Sequence, residues 1–373
     1  MIKNNMKILI INESLNLGGA ESMSVELANA LVGKKIKTYF ASAPGPLLKR
    51  LNKNIIFFEI PKYNLFSINK IVNKLFNIIL EIKPDIIHNH GATISIFVGI
   101  ALKRSKLNSV NIITHHSRKF TRLPKILAVG LLNKYCDHII AISQSKFNEL
   151  QKMGFYINKL SLIPNFVDCD LINKYINSFD KESIYQQLDI SRDSYIITMI
   201  GRLIPTKRFD KFIEIIALCS TKLKKEIVGL IIGEGPMQKN LDELSRNYSD
   251  KVKIYFLGYQ KNVYKYLSIS NIFLFPSEHE VLPMGLIEAS ASGIPIICSN
   301  IPGNNDIVRD GYNGFLVNGS EKEYCNYILG LFNNKKLLEK MSNNGINRAR
   351  EFFDKNLIID KILSLYKKLY LKT

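Results

Sequence analysis

The chain has 373 residues, the length of about two ordinary domains. Its composition, 46% hydrophobic and 22% charged residues, excludes a largely disordered chain, because so many apolar groups can offset the conformational entropy lost on folding. The 51 lysines and arginines exceed the 32 aspartates and glutamates, a net charge of +19 that favours phosphate-rich partners such as nucleic acid, anionic lipid or a nucleotide substrate.

The first apolar segment, residues 6–11, predicts a buried strand. It is followed at once by Asn12 and Glu13 and contains no small-residue cleavage site, so a signal peptide is not expected. No apolar run reaches the ~18–20 residues needed to cross a bilayer. The five cysteines are scattered without a C-x-x-C pair, which predicts reduced thiols, no zinc site and a cytoplasmic protein.

Short apolar strands alternate with segments of helical periodicity through the first half of the chain. The strand candidates are apolar on both faces, as in a parallel sheet covered by helices. They are Lys7–Ile11, Lys37–Ala41, Ile55–Glu59, Asp85–His88, Val110–Thr114 and His138–Ile142. Between them, Ala20–Val32 and Ile68–Ile82 have the apolar spacing of helices that pack on one side.

The same alternation restarts after a polar, helix-like stretch at Asp170–Asp193. The second set of strand candidates is Tyr195–Ile200, Ile227–Ile232, Lys253–Leu257, Ile272–Phe275 and Pro295–Cys298. The helix candidates among them are Phe209–Cys219, Met237–Tyr248, Val263–Ser268 and Leu286–Ala291. The chain therefore predicts an α/β fold of two Rossmann-like, doubly wound domains, residues 1–175 joined by a C-terminal helix at 356–373, and residues 176–355. Because ligands bind beyond the carboxyl ends of such strands, two facing domains would form a cleft with a ligand shelf on each side.

Two glutamates eight residues apart, Glu280 and Glu288, are the most informative pair in the chain. Glu280 ends a proline-containing turn, and Glu288 lies early in the helix candidate that ends near Gly293. A carboxylate in that position can accept two hydrogen bonds from a vicinal diol such as a ribose. The alternative is that both glutamates only favour the positive end of a helix dipole.

Arg202 and Lys207 lie on the loop that follows the strand candidate Tyr195–Ile200. A planar guanidinium and a compact ammonium at the carboxyl end of a strand form a clamp for a diphosphate, although in isolation they are typical of a solvated loop. Near the amino terminus, Gly18 and Gly19 open the first helix candidate and let backbone amides approach a phosphate or sugar. The turn lacks the G-x-G-x-x-G spacing, so an NAD enzyme is not favoured.

Taken together, these residues resemble the retaining glycosyltransferases of family four, which have the GT-B fold, across essentially the whole chain. Pro283, in the loop between the two glutamates, is typical of members that build bacterial surface polysaccharides. The motifs occur in the family's order: Gly18-Gly19-Ala20-Glu21, Thr114-His115-His116, Asp137–Ser143, Ile163–Asp168, Gly201-Arg202 with Lys207, Gly233–Pro236, Phe256-Leu257-Gly258, Glu280 to Glu288, and Gly311–Val317.

The resemblance implies a role for the residues of the second half. Arg202 and Lys207 would bind the donor diphosphate and stabilise the charge that develops as the nucleotide leaves. Glu288 would hold the ribose hydroxyls and Glu280 those of the donor sugar. Further donor contacts are implied for Met284, Gly285 and Leu286, with Leu257 as an additional candidate. The resemblance also implies front-face attack with retention, no covalent carboxylate intermediate, no metal and no cofactor beyond the nucleotide-sugar co-substrate.

In the first half, the resemblance places His116 near the donor sugar. His115 is its neighbour, and either histidine could face the cleft. Gly18 and Gly19 would border the sugar and phosphate from the same side. One departure from the family pattern is Val281, which replaces a glycine after the first glutamate and, being β-branched, resists a positive φ.

The expected reaction is transfer of a sugar from a nucleotide-sugar, a UDP-sugar, to a saccharide or lipid-linked saccharide acceptor. A nucleotide-sugar epimerase or a glycan phosphorylase of the same fold is the alternative. A basic nucleic-acid-binding protein is more remote, because the chain shows neither aromatics interleaved with arginine on a strand nor a basic recognition helix.

The positive charge is concentrated in the first half of the chain. Residues 1–180 contain 24 lysines and arginines against 11 aspartates and glutamates. Within them, Arg118–Leu127 interleaves basic and apolar residues, which predicts peripheral binding to an anionic membrane at the inner face of the cell membrane. The alternative is a solvated basic face.

Overall fold

The computed structural model describes residues 6–116, 124–223 and 225–372. The chain folds into two compact units, one formed by residues 1–165 and 356–373 and the other by residues 166–355. The first part of the first unit ends at residue 165, whereas the sequence pattern predicts that it ends at residue 175. The C-terminal segment returns to the first unit, so this unit is built from two separate parts of the chain.

The first unit contains a parallel sheet of seven strands in the order β3-β2-β1-β4-β5-β6-β7. The strands are β1 Lys7–Ser14, β2 Lys37–Ala43, β3 Ile56–Glu59, β4 Ile86–His90, β5 Val110–His115, β6 His138–Ala141 and β7 Leu160–Leu162. The helices are α1 Gly19–Gly33, α2 Ile68–Ile82, α3 Ala92–Ser105, α4 Lys125–Tyr135, α5 Gln144–Lys152 and, at the end of the chain, α15 Lys355–Tyr370. The order reverses between β1 and β4, so a crevice is expected beyond the carboxyl ends of these two strands.

The second unit repeats the plan with six parallel strands in the order β10-β9-β8-β11-β12-β13. The strands are β8 Tyr195–Ile200, β9 Ile227–Ile232, β10 Lys253–Phe256, β11 Ile272–Phe275, β12 Ile296–Ser299 and β13 Gly314–Val317. The helices are α6 Cys169–Ser178, α7 Lys181–Gln187, α8 Phe209–Ser220, α9 Gln238–Arg246, α10 Tyr264–Leu267, α11 Met284–Ala291, α12 Asn304–Ile307, α13 Glu321–Asn333 and α14 Lys335–Phe353. Here the order reverses between β8 and β11.

The central strands of both sheets are buried on their two faces, which explains why these strands are largely apolar. Every residue of β9 and β11 is buried, and α2 packs a single apolar stripe against the first sheet. The prediction of an α/β fold with two doubly wound halves is confirmed. Among the described residues, no helix is both long and apolar enough to cross a bilayer, and the five cysteines are buried and reduced.

Candidate functional site

The loop after β8 begins at Gly201, where three strand ends of the second unit meet closely. The amide of Gly201 donates to the Ile232 carbonyl over 2.9 Å, and the amide of Gly233 donates to the Gly258 carbonyl over 2.8 Å. Gly233 has φ +139°, and a Cβ on it would lie 1.9 Å from the Gly201 carbonyl oxygen. Only glycine fits there, so backbone rather than side chains lines this part of the sheet edge.

Lys207 and Glu280 form an ion pair across the point where the second sheet reverses its order. Lys207 lies in a short 3₁₀ turn after β8, and Glu280 lies in the loop after β11. The Lys207 Nζ is 2.5 Å from Glu280 Oε1 and 5.1 Å from the centre of the Phe275 ring. Their side chains are only 18% and 8% exposed, so the pair is poorly screened by water and couples the two loops strongly.

The loop that carries Glu280 is held by hydrogen bonds to its neighbours. The Ser277 hydroxyl donates to Glu280 Oε1 over 2.7 Å, and the Glu278 amide donates to the Thr206 carbonyl over 2.9 Å. Val281 does not take a positive φ in the structure, so its β-branched side chain fits the loop without backbone strain. The left-handed residue nearby is Gly303, at φ +90°.

Arg208 fastens the same two loops from their outer side. Its Nε lies 3.1 and 3.0 Å from the two carboxylate oxygens of Asp210, and its Nη1 lies 2.6 Å from Glu278 Oε1. These hydrogen bonds, first those to Asp210, raise the pKa of the guanidinium further above its already high value. The sequence motif placed Arg208 beside the clamp but assigned it no role.

Arg202 is exposed and forms no ion pair with any residue in the described ranges. It follows β8 directly, so its guanidinium belongs to the same sheet edge as Lys207. The sequence prediction grouped these two cations as equals. The structure gives them different environments, one solvated and one paired in a half-buried position.

Helix α11 begins at this edge and approaches the end of β8 closely. A Cβ on Gly285 would lie 3.2 Å from the Ile200 carbonyl oxygen, so a larger residue would push the helix outward. Since a helix leaves its first amides without an acceptor inside the helix, those of Met284 and Gly285 can bind an anion. Glu288 is partly exposed one turn after Met284, on the same helix face.

Two further residues implied for the donor site have mainly structural surroundings. The Leu286 side chain is fully buried in the core, so a donor contact from this residue would have to come from its backbone. Leu257 follows β10, and its partly buried side chain packs against the core of the second unit. Its amide donates to the Ile231 carbonyl over 2.9 Å.

In the first unit, Gly18 and Gly19 form the start of α1 after β1. Gly18 is the N-terminal cap, and its carbonyl accepts the Ser22 amide over 2.9 Å. A Cβ on Gly18 would lie 2.2 Å from a carboxylate oxygen of Glu21, so the absent side chain leaves room for that carboxylate over the helix end. The two glycines follow β1 and open the first helix, as the sequence predicts, and β1 is one of the two strands between which the order reverses.

Four histidines gather at the carboxyl ends of β4 and β5. His115 ends β5 and His116 follows it, while His88 and His90 occupy alternate positions at the end of β4. His90 Nδ1 lies 2.8 Å from His116 Nε2, with the two rings stacked 5.0 Å apart. The β4 histidines were missed in the sequence, although two histidines ending a buried strand before Gly91 are a readable signal.

The hydroxyl of Thr114 bonds to His88 and not to His116. Thr114 Oγ1 lies 2.6 Å from His88 Nε2, and the Tyr366 hydroxyl on α15 lies 2.5 Å from His88 Nδ1. The His88 ring in turn stacks on His90 at 4.8 Å. Thr114 thus supports His116 only indirectly, through two other rings.

The buried histidines are neutral at pH 7. Burial lowers the pKa of His88 and His115 to about 3 and that of His116 to about 4. Burial, followed by the neighbouring imidazoles, also holds the pKa of His90 well below its usual range. These rings can therefore donate or accept hydrogen bonds but add no positive charge to the site.

No group of three His, Cys, Asp or Glu side chains within the described ranges could hold a metal ion. Of the basic segment Arg118–Leu127, residues 118–123 lie outside the described residues. The described part begins at Pro124 and includes the exposed Ile126 and Leu127 at the start of α4.

Residues 17–171 match the family described as Glycosyltransferase Family 4, and residues 180–348 match the family described as Glycosyl transferases group 1. The chain is 28% identical over 368 residues to the UDP-Gal:alpha-D-GlcNAc-diphosphoundecaprenol alpha-1,3-galactosyltransferase of Escherichia coli, covering 94% of each protein. Over 176 residues it is 26% identical to the capsular polysaccharide biosynthesis glycosyltransferase CapM of Staphylococcus aureus, covering 47% of this chain and 46% of CapM. Its fold is similar to that of Anabaena HepE, which was solved with UDP and glucose. The TM-score is 0.83 at 20% identity, and the match covers 97% of this chain and 100% of HepE.

Proposed function

Since this chain belongs to family four of the GT-B glycosyltransferases and is a glycosyltransferase of polysaccharide synthesis, we propose that it transfers a sugar from a UDP-sugar with retention of anomeric configuration. The acceptor is a saccharide or lipid-linked saccharide. The observation that supports this most is the Lys207–Glu280 pair, set where the second sheet reverses its order and beside the first turn of α11.

The cations and amides at this edge suit a nucleoside diphosphate. Arg202 is free to turn toward one phosphate, while Lys207 supplies a fixed ammonium and α11 presents its positive end. Glu288, one turn into that helix, holds the ribose, and Glu280 faces the sugar. The E. coli relative is named for UDP-Gal and HepE was solved with UDP, which supports uridine as the base.

The chemistry follows from where charge develops. As the bond between the anomeric carbon and the diphosphate breaks, negative charge grows on the leaving oxygen, and Arg202 and Lys207 stabilise it. The acceptor hydroxyl attacks from the same face, and the leaving phosphate takes its proton. Because the two cations neutralise the diphosphate, we expect UDP release to continue in the presence of EDTA.

Release of UDP from a panel of UDP-sugars tests the proposal. Lys207→Ala or Glu288→Ala should reduce release at least about 100-fold, since each removes a charged contact with the departing nucleotide. Lys211→Ala is the matched control, because Lys211 is as buried as Lys207 and pairs with Glu321 on the same unit but has no contact with the donor in this proposal.

Normal UDP release in both site variants would contradict the assignment of the donor site. An epimerase or a phosphorylase is distinguished by its product. The epimerase would return the sugar with an inverted ring carbon, and the phosphorylase would depend on inorganic phosphate, whereas the transferase attaches the sugar to an acceptor.

A membrane-bound acceptor is the second part of the proposal. Helix α4 begins with Ile126 90% exposed and Leu127 51% exposed, directly after a segment whose sequence is basic. Exposed apolar side chains beside lysine and arginine suit the boundary of an anionic bilayer. We infer that this end of α4 rests on the membrane that carries a lipid-linked acceptor.

A further inference from the structure

His90 and His116 form a buried pair at the carboxyl ends of β4 and β5. Their inner nitrogens, His90 Nδ1 and His116 Nε2, are 2.8 Å apart, and the ring planes differ by 14°. Their outer nitrogens, His90 Nε2 and His116 Nδ1, are buried as well and have no hydrogen-bond partner in the described part of the chain. A buried polar atom without a partner is costly, so these two atoms indicate a place for a ligand.

The proton count of the pair determines which ligand fits. Each neutral imidazole carries one proton, and the bond between the inner nitrogens uses one proton and one lone pair. One proton and one lone pair therefore remain for the two outer nitrogens. Whichever ring donates internally, the pair presents one donor and one acceptor, and burial keeps it uncharged.

We propose that His90 Nε2 and His116 Nδ1 together bind hydroxyl groups of a saccharide substrate, which makes His90 a further substrate-contacting residue. A hydroxyl both donates and accepts, so it satisfies both atoms. A phosphate or carboxylate offers only acceptors, and an ammonium only donors, so each would leave one buried nitrogen unpaired. This inference rests on the proposed transferase function and deepens it.

The surroundings hold the pair in position before a ligand arrives. The His88 ring stacks on His90 with planes 22° apart, and His88 itself is fixed by Tyr366 on one side and Thr114 on the other. Tyr366 and His88 are fully buried. A contact preorganised in this way loses little entropy on binding and gains in selectivity for the correct sugar.

His90→Asn tests the proposal, because the asparagine amide can replace Nδ1 as the partner of His116 but cannot reach the position of Nε2. We expect kcat/KM to fall about 10- to 100-fold, the usual effect of one lost contact to a buried group. The dissociation constant of UDP alone should not change. If His90→Asn also slows hydrolysis of the UDP-sugar by water, the histidine pair binds a hydroxyl of the transferred sugar. If it slows only transfer to the saccharide acceptor, the pair binds a hydroxyl of that acceptor.

His138→Asn is the matched control. His138 is equally buried but lies at the opposite, amino end of the same sheet, where it bonds to Ser161 over 2.7 Å. The His138→Asn variant should have a melting temperature lowered as much as that of His90→Asn, but its kcat/KM should be unchanged. Unchanged kcat/KM in His90→Asn, or equal losses in both variants, would overturn the proposal. A wild-type protein that releases UDP from no UDP-sugar would instead contradict the proposed function.

Nitrogen NMR of protein labelled with ¹⁵N-histidine provides a second test that does not depend on activity. The pair should show a coupling across the N–H···N bond and stay neutral from pH 8 to 6. The signals of the outer nitrogens should shift with the UDP-sugar or saccharide acceptor that the enzyme uses and not with UDP. A pair that becomes charged in this range, or that responds to neither saccharide, would refute the donor-and-acceptor arrangement.

Discussion

Arg202 and Lys207, which we propose bind the same diphosphate, differ in how much their removal should reduce the stability of the fold. Lys207 is half-buried against the Glu280 carboxylate, so removing it leaves a buried negative charge with the Ser277 hydroxyl but no opposite charge beside it. Arg202 is exposed, and its removal disturbs nothing inside the protein. In the proposed function, Lys207 therefore contributes to both binding and stability, and Arg202 contributes to binding alone.

Lys207→Met should lower the free energy of unfolding by about 3 kcal/mol, the usual cost of leaving one member of a buried ion pair alone. It should also weaken UDP binding. Arg202→Ala should weaken UDP binding to a similar degree while the unfolding free energy stays within about 0.5 kcal/mol of the wild type. Urea unfolding and calorimetric titration with UDP measure the two effects. Equal loss of stability in both variants would show that the two cations have the same environment.

The sequence predicts these residues better than it predicts their partners. Lys207 and Glu280 follow two apolar strands, and parallel topology brings such loops to one edge, so their proximity is foreseeable. Their direct ion pair is not, because the side-chain geometry depends on Ser277 and Phe275. Likewise, nothing in the Thr114-His115-His116 motif reveals that Thr114 bonds to a histidine on another strand.

At the scale of elements, the loop after β11 depends on a backbone contact with the start of α12. Gly303 has φ +90°, and a Cβ on it would lie 2.7 Å from the Val281 carbonyl oxygen, next to Glu280. A substitution here must both strain its own backbone and move the loop that carries the glutamate. Gly311 has a similar φ of +67° but nothing within 4 Å of where a Cβ would be.

Gly303→Ala should therefore destabilise the protein by about 3 kcal/mol and weaken UDP-sugar binding. Gly311→Ala, which adds only the backbone strain, should cost about 1 kcal/mol and leave binding intact. Thermal unfolding and titration with the UDP-sugar compare the two. If both variants behave alike, steric contact with the Val281 carbonyl does not position the loop.

Three of the elements that the sequence analysis does not predict have a hidden or very short period. Helix α3 is buried over most of its length, so it lacks the apolar stripe that reveals α2. Strand β7 has only three residues and lies at an edge of its sheet, and β13 begins inside a glycine-rich turn. The half-exposed helices α13 and α14 were not predicted either, although few of their residues are buried. Helix α2 and the fully buried central strands were predicted, because composition and spacing agree there.

At the scale of the whole molecule, the charge is divided far more unequally than the halves of the sequence suggest. With the boundary at 165/166 and the C-terminal segment included, the first unit has 27 lysines and arginines against 9 aspartates and glutamates. The second unit has 24 lysines and arginines against 23 aspartates and glutamates. The first unit thus carries +18 of the net +19, although the proposed diphosphate clamp belongs to the second unit.

Flotation with vesicles should reflect this division. The protein should bind vesicles that contain phosphatidylglycerol at low ionic strength and detach at high ionic strength, because each cation near the surface contributes about 1 kcal/mol that salt screens. Ile126→Ser with Leu127→Ser should weaken binding while UDP release continues. Neutral phosphatidylcholine vesicles are the control. Absence of binding to anionic vesicles at low salt would remove the membrane part of the proposal only.

Acid should destabilise the first unit. Burial lowers the pKa of His88, His115, His116 and His138 to between about 3 and 4, below the value near 6.5 expected when unfolded. Between these values the unfolded chain binds more protons, so stability is full above pH 6.5 and falls as the pH drops toward 4. Each histidine contributes up to about 1.4 kcal/mol per pH unit. Urea unfolding at pH 7 and 5.5 should show a smaller loss for His138→Asn than for the wild type, and equal losses would contradict this account.

The return of α15 to the first unit also sets the order in which the protein can be completed as it is made. The second unit is one continuous segment, so all of it leaves the ribosome before α15 does. The first unit begins earlier but lacks the partner of His88 until Tyr366 emerges, after the whole of the second unit. During synthesis the sheet that starts first is therefore completed after the second one, and its histidine cluster is assembled only once α15 has been made.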